Sequence, residues 1–200
     1  MQSGARSLRS REFGETFHPV VGPMAEARAL HVAQQRLVAR AGETRGPFVI
    51  WDVGLGFRQR ILALAQNEVG TLEATGNNDG DVTKYPGMFG RGQESYCADF
   101  ASWVITNAGG SLNDPWCPSI KNQLINSGNW KGRTDPQPGD IVLFDWDGDN
   151  VADHVGLVKS VYGNGTLTTI EGNTGGPNGA EGVWEKVRGW DFVMGFGNPI

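Results

Sequence analysis

Between residues 97 and 141 the hydrophobic period changes from that of a helix to that of short strands, and few folds accommodate such a change. In YCADFASWVITNAGG, Phe100, Val104 and Ala108 recur at i, i+4 and i+8. With Ala101 and Ile105 they predict one apolar helix face, which Gly109-Gly110 brings to a stop. A linking helix is expected around Pro118 to Asn126. From PQPGD onward the chain reads as strands: Ile141 to Phe144, HVGLVKSVY, a tight turn at Asn164-Gly165, then TLTTIEGN, GVWEKVRG and DFVMGF. A helix-rich half followed by five or six antiparallel strands predicts an α+β domain, with a curled sheet packed on the helix that starts near Cys97. Thirty Gly and ten Pro in 200 residues suit that turn-rich second half.

The charge distribution places a second break near residue 57. The net charge is -5. Residues 1 to 60 hold nine Arg, no Lys and five acids, a balance of +4, and the remainder holds eight basic residues against 17 acids, a balance of -9. All five Lys and six of the seven Trp lie in the second part. Two unlike pieces are therefore expected, 1–56 and 57–200. An acidic balance argues against a general nucleic-acid binder. No stretch approaches the roughly 18 apolar residues of a membrane-spanning helix, and no apolar region follows the basic start MQSGARSLRSRE, so no signal peptide is expected.

In the first piece, Pro23 opens a helical stretch with Leu30, Ala33 and Leu37 on one face, and PFVIWDVGLG runs a strand, Phe48 to Val53, into a glycine turn. A strand followed by Gly-x-Gly begins many nucleotide and S-adenosylmethionine sites, and just as readily makes a plain turn. SLRSREFGETFHPVVGPMAEARALHVAQQRL with FVIWDVGLG resembles the start of bacterial tRNA methyltransferases of the methylaminomethyl-thiouridine type, over about residues 3 to 56. That resemblance implies an N-terminal fragment that lacks the strands needed to enclose a cofactor, so no methyl transfer is expected of it. His18 and His31 read as surface or packing residues.

The second piece carries the chemistry. Ile61, Leu64, Ala65 and Glu68 predict a short helix ended by Gly70, and a long Gly-, Asn- and Asp-rich loop follows. Cys97 then falls at the N-terminus of a helix, where unpaired backbone N–H groups and the helix dipole favour a thiolate. The piece holds one histidine, His154, at the first position of a predicted strand. A Cys on a helix start, a His on the facing sheet and a third polar group are the parts of papain-like catalysis. Alternation puts His154, Gly156 and Val158 on one face, and puts Glu171 and Asn173 together on the next strand, both within reach of a neighbouring imidazole.

YCADFASWVITNAGG, PGDIVLFDWDGDNVADHVGLV and TIEGNT together resemble the CHAP family, the cysteine, histidine-dependent amidohydrolases/peptidases of phage lysins and bacterial cell-wall hydrolases, over about Ile61 to Gly197. The resemblance implies a papain-like fold with a partly barrelled sheet. It implies Cys97 as nucleophile, His154 as general base, and Glu171 with Asn173 as the groups that orient the histidine, Glu171 being preferred because a carboxylate also stabilises the imidazolium. The implied activity is peptidoglycan hydrolysis, either of the N-acetylmuramoyl-L-alanine amide or of a stem or cross-bridge peptide bond. A methyltransferase fragment and a catalytically silent wall-binding module are the competing readings.

Gln93 is a candidate oxyanion donor, Tyr96 a candidate lining residue and Trp146 a candidate glycan platform. No cofactor is expected. Asp145, Asp147, Asp149 and Asp153 mimic a calcium loop, but Asn150 and Gly156 stand where such a loop wants Gly and Glu, so a solvated acidic hairpin is the preferred reading. Some CHAP domains bind calcium just before the nucleophile, yet Met88 to Tyr96 offers only Glu94. Cys117 reads as a buried structural thiol, because a disulfide to Cys97 would consume the nucleophile. A monomer acting on peptidoglycan is expected, reaching the wall by phage release or another export route.

Overall fold

A computed structural model describes residues 56–199 and, before them, two short strands. The chain divides into two units, Met1–Val53 and Gly54–Ile200. In the first, β1 (Leu8–Arg9) pairs antiparallel with β2 (Thr16–Phe17), Leu8 opposite Phe17 and Arg9 opposite Thr16. The helix expected after Pro23, the strand Phe48–Val53, His18 and His31 lie outside the described residues.

In the second unit α1 (Phe57–Glu68) buries Ile61 and Ala65, with Leu64 packed beside them, and the chain leaves it through Gly70 at φ +93°. Glu68, expected on the same face, accepts a hydrogen bond from the Tyr85 hydroxyl at 2.6 Å and pairs with Lys84. The loop expected after it contains structure of its own: a 3-10 turn over Asp81–Thr83 and the short helix α2 (Lys84–Gly87). Tyr85 explains the difference. Its fully buried ring stacks on Tyr96 at 5.7 Å and meets Phe100 and Trp103 edge-on at 5.2 and 5.5 Å, so an apolar anchor overrides a glycine-rich local sequence. Arg91 ties the end of the same loop to α3 (Cys97–Asn107), with Nε 2.8 Å from the buried Asp99 carboxylate.

Helix α3 is buried along most of its length, and α4 (Cys117–Asn126), with Pro118 in its first turn, buries Cys117, Ile120 and Leu124. The strands are β3 (Trp130–Gly132), β4 (Ile141–Phe144), β5 (His154–Tyr162), β6 (Thr166–Gly175), β7 (Glu181–Gly189) and β8 (Val193–Gly197). They form one antiparallel sheet in the order β3-β8-β4-β5-β6-β7. The α+β architecture is as the sequence predicts, with six antiparallel strands in a sheet that is not closed. Its two edges, three-residue β3 and nine-residue β7, do not pair.

Alternation divides the strand residues between two cores. Ile141, Leu143, Val155, Leu157, Ile170 and Val183 join the helices, whereas Val142, Phe144, Val158, Leu167, Val193 and Phe196 pack together on the other face with Trp190 against them. Helix α3 touches the sheet closely where Gly172 lies: a Cβ there would stand 2.6 Å from the Cβ of Phe100. That close approach sets the N-terminus of α3 beside the start of β5. Among the described residues no helix is long and apolar enough to cross a membrane.

Candidate active site

Cys97 is the first residue of α3, and no side chain caps the helix there. The Phe100 N–H closes the first turn onto the Tyr96 carbonyl at 2.7 Å, so the amides of Cys97, Ala98 and Asp99 have no partner within the helix. The thiol is 8% exposed and its Sγ lies 3.7 Å from Sγ of Cys117, the first residue of α4. Its pKa is held well below the ordinary thiol value. Hydrogen bonding from Cys117 is the largest cause; burial opposes it, and His154 and the Ala98 N–H add to it. Cys117 is pushed the other way, by its bond to Cys97 and by burial. Of the two thiols only Cys97 faces a cation, which makes it the thiolate of the pair.

His154 opens β5 opposite Phe144 and is nearly buried. Its Nε2 lies 3.0 Å from Oε2 of Glu171, leaving Nδ1 as the ring nitrogen for the Cys97 side. Burial works to lower its pKa, but hydrogen bonds and charge from Cys97 and Glu171 outweigh it and raise the value to about 9. Glu171, on β6, is fully buried. Burial would raise its pKa, yet Arg188 and His154 bring it down to about 2. Gly156, on the imidazole's face of β5, leaves room that the Glu171 side chain fills. A Cβ at Gly156 would stand 2.8 Å from Glu171 Cγ.

Two further residues hold the carboxylate, and sequence reading missed both. Arg188 on β7 donates from Nε to Oε1 at 2.9 Å and from Nη2 to Oε2 at 2.5 Å, and the Thr169 hydroxyl donates to Oε1 at 2.5 Å. The signal lay in strand pairing: with Glu171 opposite Trp184 and Leu167 opposite Arg188, alternation sets Trp184, Lys186 and Arg188 on the face of Glu171. Without the register that face could not be assigned.

The remaining candidates are placed unevenly. Asn173 sits at φ +53° where the β6–β7 register shifts between Glu171 and Thr174, and this bulge breaks the alternation that was to align it with Glu171. Among the described residues no hydrogen bond joins its side chain to His154; its backbone N–H serves the Tyr96 hydroxyl instead. Tyr96 is a core residue, fully buried with its hydroxyl 3.1 Å from Glu73, and so presents no surface to a substrate. Gln93 is exposed, and its amide donates to the Asn77 carbonyl at 2.5 Å rather than toward Cys97.

Trp146 is 38% exposed and lies beside the imidazole, ring centres 6.1 Å apart, stacked on Phe144 at 5.0 Å. Asp145, Asp147 and Asp149 each bring a carboxylate oxygen within 4.8 Å of the others, and all three also accept N–H groups of their own turn. Asp153 stands apart, accepting the Trp146 N–H at 2.6 Å.

Cys97, His154 and Glu171 come from three elements, α3, β5 and β6. The CHAP domain family model matches residues 88–173. That stretch contains Cys97, His154, Glu171 and Asn173, and ends before Arg188. No curated protein matches the sequence. Among solved structures, the chain is similar to the crystal structure of Ly7917 (20% identity, TM-score 0.42) and to that of Ly7917 with the hydrolyzing product of MDP (18%, 0.42). Each likeness covers 71% of this chain and 62% of the other, so the chain spans about three fifths of their length. A mutated form of the Resuscitation Promoting Factor Interacting protein RipA is similar at 11% identity and TM-score 0.38, over 96% of this chain and 90% of that one.

Proposed function

We propose that residues 57–200 form a peptidoglycan hydrolase that cleaves an amide bond through a cysteine acyl-enzyme. The observation that carries this reading is the chain from Cys97 through His154 to Glu171, a lowered thiol at a helix start beside a raised imidazole at a strand start. The match of the CHAP domain to residues 88–173 supports it.

Thiolate Cys97 attacks the amide carbonyl, and the developing oxyanion is met by backbone N–H at the start of α3, that of Cys97 first. His154, already protonated, gives its proton to the leaving amine and then takes one from the water that releases the acyl group. Glu171 holds Nε2 throughout and stabilises the imidazolium, and Trp146 offers an aromatic wall for the substrate beside the imidazole. Affinity would come from such contacts, because a -9 balance over residues 61–200 repels anionic walls at long range.

Zymography on cell walls tests the reading. Wild-type protein is expected to clear them and Cys97→Ala to leave them intact; equal clearing by both would overturn it. Mass spectrometry of the released muropeptides then identifies whether the cut bond is the N-acetylmuramoyl-L-alanine amide or one within the peptide.

A further inference from the structure

We propose that Arg188 is a positioning residue: its guanidinium fixes Glu171 as an oriented anion and seats Trp146, joining the histidine's partner to the aromatic ring beside the imidazole. The proposal rests on the reading of Cys97 and His154 as the reacting pair.

Charge balance is the first argument. In the reactive state the buried groups carry two negative charges, Cys97 and Glu171, and one positive charge on His154. A buried cluster with an unbalanced anion sheds it by taking up a proton. Arg188 supplies the missing positive charge and lets both anions persist together. Around Glu171 the titratable and charged groups are His154 from β5 and Arg188 from β7, with Cys97 of α3 and Cys117 of α4 beyond the imidazole. Asp153, next to His154 in sequence, turns its carboxylate to the Trp146 N–H.

Geometry is the second argument. A planar fork bonded to both carboxylate oxygens fixes the plane of the carboxylate, which a single contact from an ammonium would not do. Oε2 is then shared between Arg188 Nη2 at 2.5 Å and His154 Nε2 at 3.0 Å, and Thr169 completes Oε1. The guanidinium carbon also lies 5.0 Å from the Trp146 ring centre and 5.6 Å from that of Phe144, within cation–π range of both. Arg188 thus touches the orienting carboxylate on one side and the partly exposed Trp146 ring on the other.

The experiment measures the pH dependence of Cys97 alkylation by iodoacetamide in the full chain, which reads the thiolate without substrate, alongside wall clearing. Removing a positive charge makes the thiolate harder to form. Arg188→Met is therefore expected to move the lower inflection of alkylation upward by one pH unit or more, with clearing at neutral pH reduced at least tenfold. Arg188→Lys keeps the charge and loses the fork, so it should restore the inflection while clearing stays below wild type. A folded Arg188→Met protein with the wild-type inflection would overturn the proposal, since a purely structural residue would lower yield or Tm and leave the profile in place.

If Arg188→Met does not fold, the double variant Glu171→Gln/Arg188→Met replaces it. An alkylation inflection equal to that of Glu171→Gln alone supports action through Glu171, and a further upward shift of one pH unit refutes it. Should Cys97→Ala still clear walls while the alkylation profile shifts as expected, the proposed function fails and the charge role of Arg188 stands.

Discussion

Gly156→Ala isolates the packing of Glu171 against the strand that carries His154. The glycine has no positive φ, so alanine brings no backbone strain, and the position is already paired opposite Val142. The added methyl would stand 2.8 Å from Glu171 Cγ and 3.6 Å from Cδ, against an ordinary contact of about 3.5–4.0 Å. Close to 1 Å of movement is needed. Cγ is not a free end, since the carboxylate beyond it is gripped by His154, Arg188 and Thr169. The displacement therefore has to stretch at least one of those charge-assisted bonds, each worth about 1.5–3 kcal/mol. Expressed in the transition state, that is roughly a 10- to 100-fold fall in clearing rate. Overpacking should cost a further ~1–3 kcal/mol of stability. Turbidity decay of a cell-wall suspension gives the rate, and thermal unfolding gives the stability. A Gly156→Ala protein within threefold of wild-type rate would show that the contact with Glu171 does not govern the position of the imidazole.

Stability should follow pH through the same groups. His154 is raised from 6.5 to about 9, so its contribution is fully present below pH 6.5 and is lost as pH rises through about 9; Glu171, lowered from 4.5 to about 2, contributes above pH 4.5 and loses that as pH falls through about 2. Cys97, held below its ordinary value of 9.0, gains stability as pH rises toward 9 and offsets the loss from His154, so Tm is expected to stay level between about pH 6.5 and 9 and to decline above that and, through Glu171, below about pH 4.5; Glu171→Gln should flatten the acid side. A Tm still rising between pH 7 and 9 would contradict this. The thiols of Cys97 and Cys117 should report on oxidation: with Sγ atoms 3.7 Å apart, a small shift reaches the disulfide length of about 2.0 Å. Hydrogen peroxide should convert Cys97 to the sulfenic acid, which the Cys117 thiol then displaces with release of water. Clearing should be lost and dithiothreitol should restore it, whereas in Cys117→Ala, where overoxidation has no competitor, the loss should persist.

Much of this fold was legible because its signals are local. The i, i+4 spacing of Phe100, Val104 and Ala108 and the terminal Gly109 describe α3, and each sheet strand from Ile141 onward is bounded by a turn residue. One cysteine at a helix start and one histidine at a strand start left little choice of reacting pair. What escaped was set by tertiary context. Tyr85 orders a segment whose own composition favours a loop, and the left-handed Asn173 shifts the register between Glu171 and Thr174, so that alternation does not carry across it. Arg188 escaped because a guanidinium that reaches across from the adjacent strand leaves no mark on the spacing around Glu171. The short strands β1 and β2 likewise have no periodicity to read.

The place of β8 in the sheet bears on how the domain assembles. Strands β4 to β7 can pair one after another as hairpins, but β8 follows all of them in the chain and lies between β3 and β4. It must return past three strands to find its neighbours, a nonlocal closure of the kind that slows folding. Val193 and Phe196 arrive with it, and they back the face of β4 on which Phe144 supports Trp146 and the Arg188 guanidinium. The floor beneath the His154–Glu171 pair is thus completed last. A chain still emerging from the ribosome carries every reacting residue before it has the layer that holds them in register.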